Sequence, residues 1–194
     1  MNRITLTILL STACALAACS NKTATADNNT MTADEANSML ATNNSMMTNT
    51  AATTTVSAAD QAFLTDAMKG DNSEVALGNL AQQKGTAQGV KDLGTMLVTD
   101  HGAHKATLAT LAGQTGVATT DDLKTEAKTE ETKLNGLSGA AFDKEFVRAT
   151  VEDHKKDIAA YEKEAKGTGP VATMAQQTLP TLKKHLAAAE KLQK

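Results

Sequence analysis

Between residues 58 and 192 the chain can be laid out as four stripes of apolar and small residues at alternating steps of three and four, the period of one helix face. The first is Phe63, Ala67, Gly70, Glu74, Leu77 and Ala81, and the second is Val90, Gly94, Leu97, His101, His104, Leu108 and Leu111. The third is Val147, Val151, His154, Ile158 and Tyr161, and the fourth is Val171, Ala175, Thr178, Leu182, His185, Ala189 and Leu192. Every stripe carries an ionisable residue near its middle. An unpartnered polar or charged group in an apolar interior is costly, so helices with these seams must bring those residues together.

Punctuation along the chain agrees with four long helices. Ser57-Ala-Ala-Asp60 fits a capping pattern, with the serine accepting from free amides of the first turn and the aspartate facing the positive helix end. It opens a helix over about 58–84. A second helix is expected over about 87–112, ending among Gly113 and Gly116, and a third over about 139–166, stopped by Gly167. The fourth begins with Pro170, whose missing amide hydrogen is harmless in a first turn, and continues to Leu192. A shorter helix over 121–135, capped by Thr119 or Thr120, falls between the second and third. Pro180 removes one backbone hydrogen bond from the fourth helix and is expected to bend it a turn before His185.

The first two helices, and the last two, are joined by short turns and should form antiparallel hairpins. The roughly 25 residues from Gly113 to Ser138 are long enough to travel back along a bundle, which permits a crossover topology, with simple up-down-up-down as the alternative. With 41% hydrophobic but only 2% aromatic residues, the core must be built from Ala, Leu, Val and Met, which suits closely packed helices.

Depth gives an independent check on the stripes. A helix rises about 1.5 Å per residue, so Glu74, His101, His154 and His185 each lie roughly 17 to 24 Å from the turn that joins their hairpin. All four can share one layer. Neutral imidazole is the commonest metal ligand, and three histidines with a carboxylate suit Fe, Zn, Cu or Mn; His104, one turn beyond His101, is a candidate extra ligand. Asp100 and Asp153 each precede a histidine and cannot face the same way, so they are expected behind the ligands or in solvent. Hydrogen bonding alone would also satisfy such a layer, leaving a metal-free polar core as the other reading.

The N-terminus reads as export machinery. Residues 1–18 carry Arg3 and then a short apolar run, too short for a permanent bilayer span. The run ends in Leu16-Ala17-Ala18-Cys19, which resembles the lipobox of bacterial lipoproteins. That resemblance implies acylation of Cys19, and Ser20 in place of a retention aspartate points to a periplasm-facing outer-membrane lipoprotein, held to the membrane by its lipid. Cys14 falls in the discarded signal, so the mature chain has no disulfide and no free thiol. Residues 19–56, rich in Asn, Thr, Ala and Met, bury too little surface to fold and read as a disordered tether before a globular domain over 57–194. Met31, Met39, Met46 and Met47 could serve as soft ligands for Cu(I), but neutral filler is the favoured reading.

The blocks AFLTDAMKGDNSEVALGNLAQQKG, VKDLGTMLVTDHGAHKATLATLA, LSGAAFDKEFVRATVEDHKKDIAAYEKEAKG and TLPTLKKHLAAAEKL resemble the bacterial domain-of-unknown-function family 4142, over about Ala58 to Lys191. The resemblance implies an all-α, ferritin-like four-helix bundle with a short extra helix in the crossover, mostly exported and without a settled activity. By position, Glu74, His101, His154 and His185 occupy the family's polar places, whereas His104 matches none. Diiron bundles use Glu-x-x-His pairs, but Val98, Val151 and Leu182 stand three residues before the histidines. One metal ion is therefore the expected limit, with no ferroxidase chemistry. Phosphate-binding, dinucleotide and nucleophile-elbow motifs are absent from the sequence, so no catalytic residue is named. A net charge of -3 with mixed signs argues against nucleic acid, and protein partners are not specified. Two functions fit: an envelope lipoprotein binding a single transition metal for metal handling or stress protection, or a metal-free structural or interaction module of the envelope.

Overall fold

A computed structural model describes residues 54–194, and every regular element among them is helical. The elements are α1 (Ala58–Lys84), α2 (Gln88–Thr115), α3 (Thr125–Asn135), α4 (Gly139–Glu164) and α5 (Pro170–Leu192). The expected signal peptide, the Cys19 acylation site, the four methionines and nearly all of the tether lie outside the described residues. Among those described, no helix is long and apolar enough to cross a membrane.

Local chemistry accounts for the helix ends. Ser57 Oγ accepts from the Asp60 amide at 3.1 Å and the Asp60 carboxylate accepts from the Ser57 amide at 3.1 Å, closing a reciprocal capping box. Gly116, the second of the two glycines among which this helix was expected to end, closes α2 in the left-handed conformation at φ 73°. The short helix starts at Thr125, with Lys124 as its cap, later than expected, because residues 120–124 are held by α1 instead. Just before the capping box, Val56 is buried in the core and the Thr54 amide donates to the Gln114 carbonyl at 3.0 Å.

Helix directions follow from side-chain contacts. Phe63 meets Tyr161 with ring centroids 4.9 Å apart, and the Lys84 ammonium lies 5.6 Å from the Phe142 ring, so α1 and α4 are antiparallel. His104 pairs with Thr178, and Asp100 with His185, so α2 and α5 are antiparallel as well. Helices α2 and α4 therefore run in the same direction, and the segment between them returns along the length of the molecule. It travels on α1: Asn72 Nδ2 donates to the carbonyls of Thr120 and Asp122, Ser73 Oγ accepts from the Lys124 amide, and Lys84 Nζ donates to the carbonyls of Leu134 and Asn135.

The apolar interior is divided. One cluster joins Leu64, Met68, Leu108, Tyr161 and Met174 near one end, and another joins Leu93, Leu97, Phe142, Phe146 and Val151 near the other. Between them, at the same level on each long helix, sit Asp71, Glu74, His101, His154 and His185, all buried. The packing of α1 on α2 is set by two glycines. A Cβ on Gly94 would fall 2.7 Å from the Gly78 carbonyl oxygen and 2.9 Å from Ala81 Cβ.

Alanine in place of a helix-interior glycine ordinarily stabilises by roughly 0.5–1 kcal/mol. At Gly94 the added methyl meets backbone, which cannot rotate away, and overpacking of this kind costs about 1–3 kcal/mol. Gly94→Ala should lower the thermal midpoint measured by circular dichroism despite its higher helix propensity. An unchanged or raised midpoint would show that the two helices separate freely.

Candidate metal centre

His101 on α2, His154 on α4 and His185 on α5 each offer a ligand nitrogen, and these nitrogens all lie within 4.8 Å of one another. The side chains are 5%, 1% and 0% exposed, so bulk water does not solvate them. What fixes each ring is the partner of its other nitrogen. His101 Nδ1 faces Asp71 Oδ1 at 2.8 Å, His154 Nδ1 faces the Thr150 carbonyl at 3.0 Å, and His185 Nε2 faces Asp100 Oδ2 at 2.8 Å. All three partners are oxygen acceptors, so each of these nitrogens carries the N–H in a neutral ring.

The remaining nitrogens, Nε2 of His101, Nε2 of His154 and Nδ1 of His185, then hold lone pairs. Two of them face each other: His154 Nε2 and His185 Nδ1 are 3.3 Å apart. The third, His101 Nε2, is buried with no hydrogen-bond partner. Converging lone pairs repel unless a cation lies between them. At bond lengths of about 2.0–2.1 Å, tetrahedral ligand nitrogens stand about 3.3–3.4 Å apart, so the His154–His185 spacing already suits an ion. Protonation is the alternative, and burial opposes it. Burial and the neighbouring imidazoles hold His154 down to about 3, and burial lowers His185 despite the Asp100 carboxylate.

Asp71 and Asp100, the carboxylates behind His101 and His185, are both shifted downward. Burial raises Asp71, but hydrogen bonds from His101 and His104 outweigh it and the net shift is downward; Asp100 is likewise lowered by His185 and Lys184 against its own desolvation. Carboxylates in this position fix tautomer and ring orientation and make an imidazole more basic toward a metal.

The other two residues expected from the sequence are placed differently. Glu74 stands behind His154, its Oε1 3.6 Å from Nδ1, on the side away from the facing lone pairs. Burial, with the Asp153 carboxylate beside it, pushes the Glu74 carboxyl well above the usual range. With Glu74 shifted upward and His154 shifted downward, both by burial, neither group favours the charged form that an ion pair would need. His104 has both nitrogens engaged, Nδ1 with Asp71 Oδ2 at 2.9 Å and Nε2 with Thr178 Oγ1 at 3.0 Å. Asp100 does stand behind a histidine as expected, but behind His185 on α5, not its sequence neighbour His101. Asp153 is half-buried beside Glu74.

Asp71 was not anticipated. It lies three residues before Glu74, on the same helix face, but stepping along the seam from Gly70 to Glu74 passes it by. Lys124 was also missed. Its ammonium lies 2.7 Å from Asp157 and 3.6 Å from Asp66. Burial lowers it, but Asp157 and Asp153 outweigh that effect and the net shift is upward; burial and Asp153 in turn raise Asp157 to about 6 despite the lysine.

With this geometry in hand, comparison with known proteins places the chain. The model of a family described as a domain of unknown function, DUF4142, matches residues 45–192. The chain belongs to that family. A crystal structure of a DUF305 fragment from Deinococcus radiodurans is similar in fold, with a TM-score of 0.65 at 13% identity, covering 72% of this chain and 98% of that one. No curated protein matches. The match over 45–192 extends the resemblance read from Ala58 to Lys191 by some residues at the N-terminal side.

A buried histidine with a depressed pKa stabilises the fold fully above its ordinary value of about 6.5, and that stability is lost as pH falls toward the folded value. Glu74 and Asp157, shifted upward, act in the opposite direction, so the total profile mixes both signs. A difference measurement isolates the histidine. In metal-free protein, the unfolding free energy of the wild type minus that of His154→Gln should shrink by about 1.4 kcal/mol per pH unit from pH 6.5 downward. A difference independent of pH between 6.5 and 4 would mean His154 is already charged in the fold.

Proposed function

We propose that this chain is an exported, lipid-anchored envelope protein whose ferritin-like helical domain binds a single transition-metal ion through His101, His154 and His185. The observation that carries the reading is the convergence of three imidazole lone pairs in a dry interior, with His101 Nε2 lacking any partner. Each ligand nitrogen has a hydrogen-bonded oxygen behind its ring, the arrangement that orients histidines on metals. The same direction of α2 and α4, the long returning segment between them, and the likeness to a solved helical domain support the ferritin-like description.

With Glu74 behind His154, the donor set is nitrogen only. Such a set suits Zn, Cu or Fe better than Mn, which prefers oxygen. Val98, Val151 and Leu182 stand where Glu-x-x-His pairs would supply bridging carboxylates, which favours a mononuclear site. A lipid on Cys19 would hold it at the outer membrane, facing the periplasm, where a bound metal fits roles in metal handling or stress protection.

The second reading is a metal-free polar layer that sets helix register in an interaction module. It draws support from Asp71, Thr150 and Asp100, which satisfy one nitrogen of every histidine without any ion. Elemental analysis separates the two. Protein purified without an affinity tag should take up one Zn, Cu or Fe per chain, and His154→Ala should lower the affinity at least 10-fold. Wild-type protein that stays metal-free in the presence of all three would establish the polar layer instead.

A further inference from the structure

Beyond the metal itself, we propose that the ion keeps one coordination position open to an exogenous small ligand, reached through the cavity between α2 and α5. The inference rests on the metal reading above. Three observations on the protein's own residues carry it.

First, among the described residues the group able to hold an ion consists of three histidines, one fewer than a closed tetrahedral site requires. Second, the hydrogen bonds of the nearby carboxylates turn them to the outer edges of the rings. Asp71 accepts from His101 and His104 with its two oxygens, Asp100 accepts from His185 and Lys184, and Glu74 lies behind His154. Third, a cavity of about 320 Å³ opens between α2 and α5, and its wall includes both His101 and His185. Gln177, Thr178 and Thr181 line the same space and offer hydroxyl and amide groups to a ligand's second atom. The volume reaches the lower range of small-molecule pockets.

The geometry assigns a ligand class: a small oxygen or nitrogen donor, water or a compact anion of a few heavy atoms. A closed storage site would instead bury a fourth protein ligand, and a site opening on the α1–α4 side would be blocked by Glu74 and by the Thr150 backbone behind His154.

The test uses full-length protein loaded with Cu(II) and titrated with azide, followed by the azide-to-copper charge-transfer band and by electron paramagnetic resonance. Wild-type protein should bind one copper and show a saturable azide band. Ala103→Trp, at an exposed helix position lining the cavity, should retain copper but weaken azide at least 10-fold, and Thr107→Trp should act in the same direction. Ala159→Trp, exposed on α4 and remote from this cavity, should behave as wild type. Copper bound without any azide band, or an azide affinity equal in all four proteins, would overturn the open position while leaving the metal site standing. Failure of the wild type to take up copper, zinc or iron would overturn both.

Discussion

Three buried imidazoles, each with a ligand nitrogen within 4.8 Å of the others, form the constraint around which the domain is organised. In water such rings would rotate or protonate. Here each is pinned from behind by Asp71, the Thr150 carbonyl or Asp100, and burial disfavours the charged form of His154 and His185. The same partners that orient the rings also fix which nitrogen faces inward. Burial disfavours the charged form of His154 and His185, while the hydrogen bonds to Thr150 and Asp100 work partly against it and fix how the rings are turned.

Holding that layer level demands rigid rods at fixed heights. Gly78 and Gly94 let α1 and α2 approach to backbone contact, which locks the level of Asp71 against His101. At the far end, the Asp143 carboxylate accepts from the amides of Thr86 and Ala87 at 2.9 and 2.8 Å, tying the start of α4 to the α1–α2 turn. Apolar clusters lie on both sides of the polar layer. The returning segment adds a further brace, since Asn72 and Ser73 are satisfied by its backbone and Lys124 brings an ammonium to Asp157.

That segment also explains where the sequence was hard to read. Asp71, Asn72, Ser73 and Glu74 are four consecutive buried polar residues, whereas a single seam buries about one residue in three or four. They are buried together because α1 is covered on more than one side: by α2 and α4 on the bundle face, and by residues 120–124 on another. A periodicity argument assumes one covered stripe, so it selected Glu74 and passed over Asp71. It likewise placed His104 on the seam, where the structure leaves it half-buried and bonded to Thr178.

The amino-acid sequence by itself determined the helices, the hairpin turns, the level at which ionisable residues meet and the identity of the three converging histidines, because helical period and rise are fixed by backbone geometry. Capping by Ser57 belongs to the same class of local chemistry, whereas the third long helix ends at Glu164, two residues before the end expected from Gly167. Only the tertiary structure decided which carboxylate stands behind which ring, which nitrogen is left free and on which side a cavity opens. Those choices depend on pairings between residues 30 to 85 positions apart, such as Asp71 with His101 and Asp100 with His185. Side chains far apart in the chain meet according to how the rods rotate about their axes, a freedom that local sequence pattern does not remove.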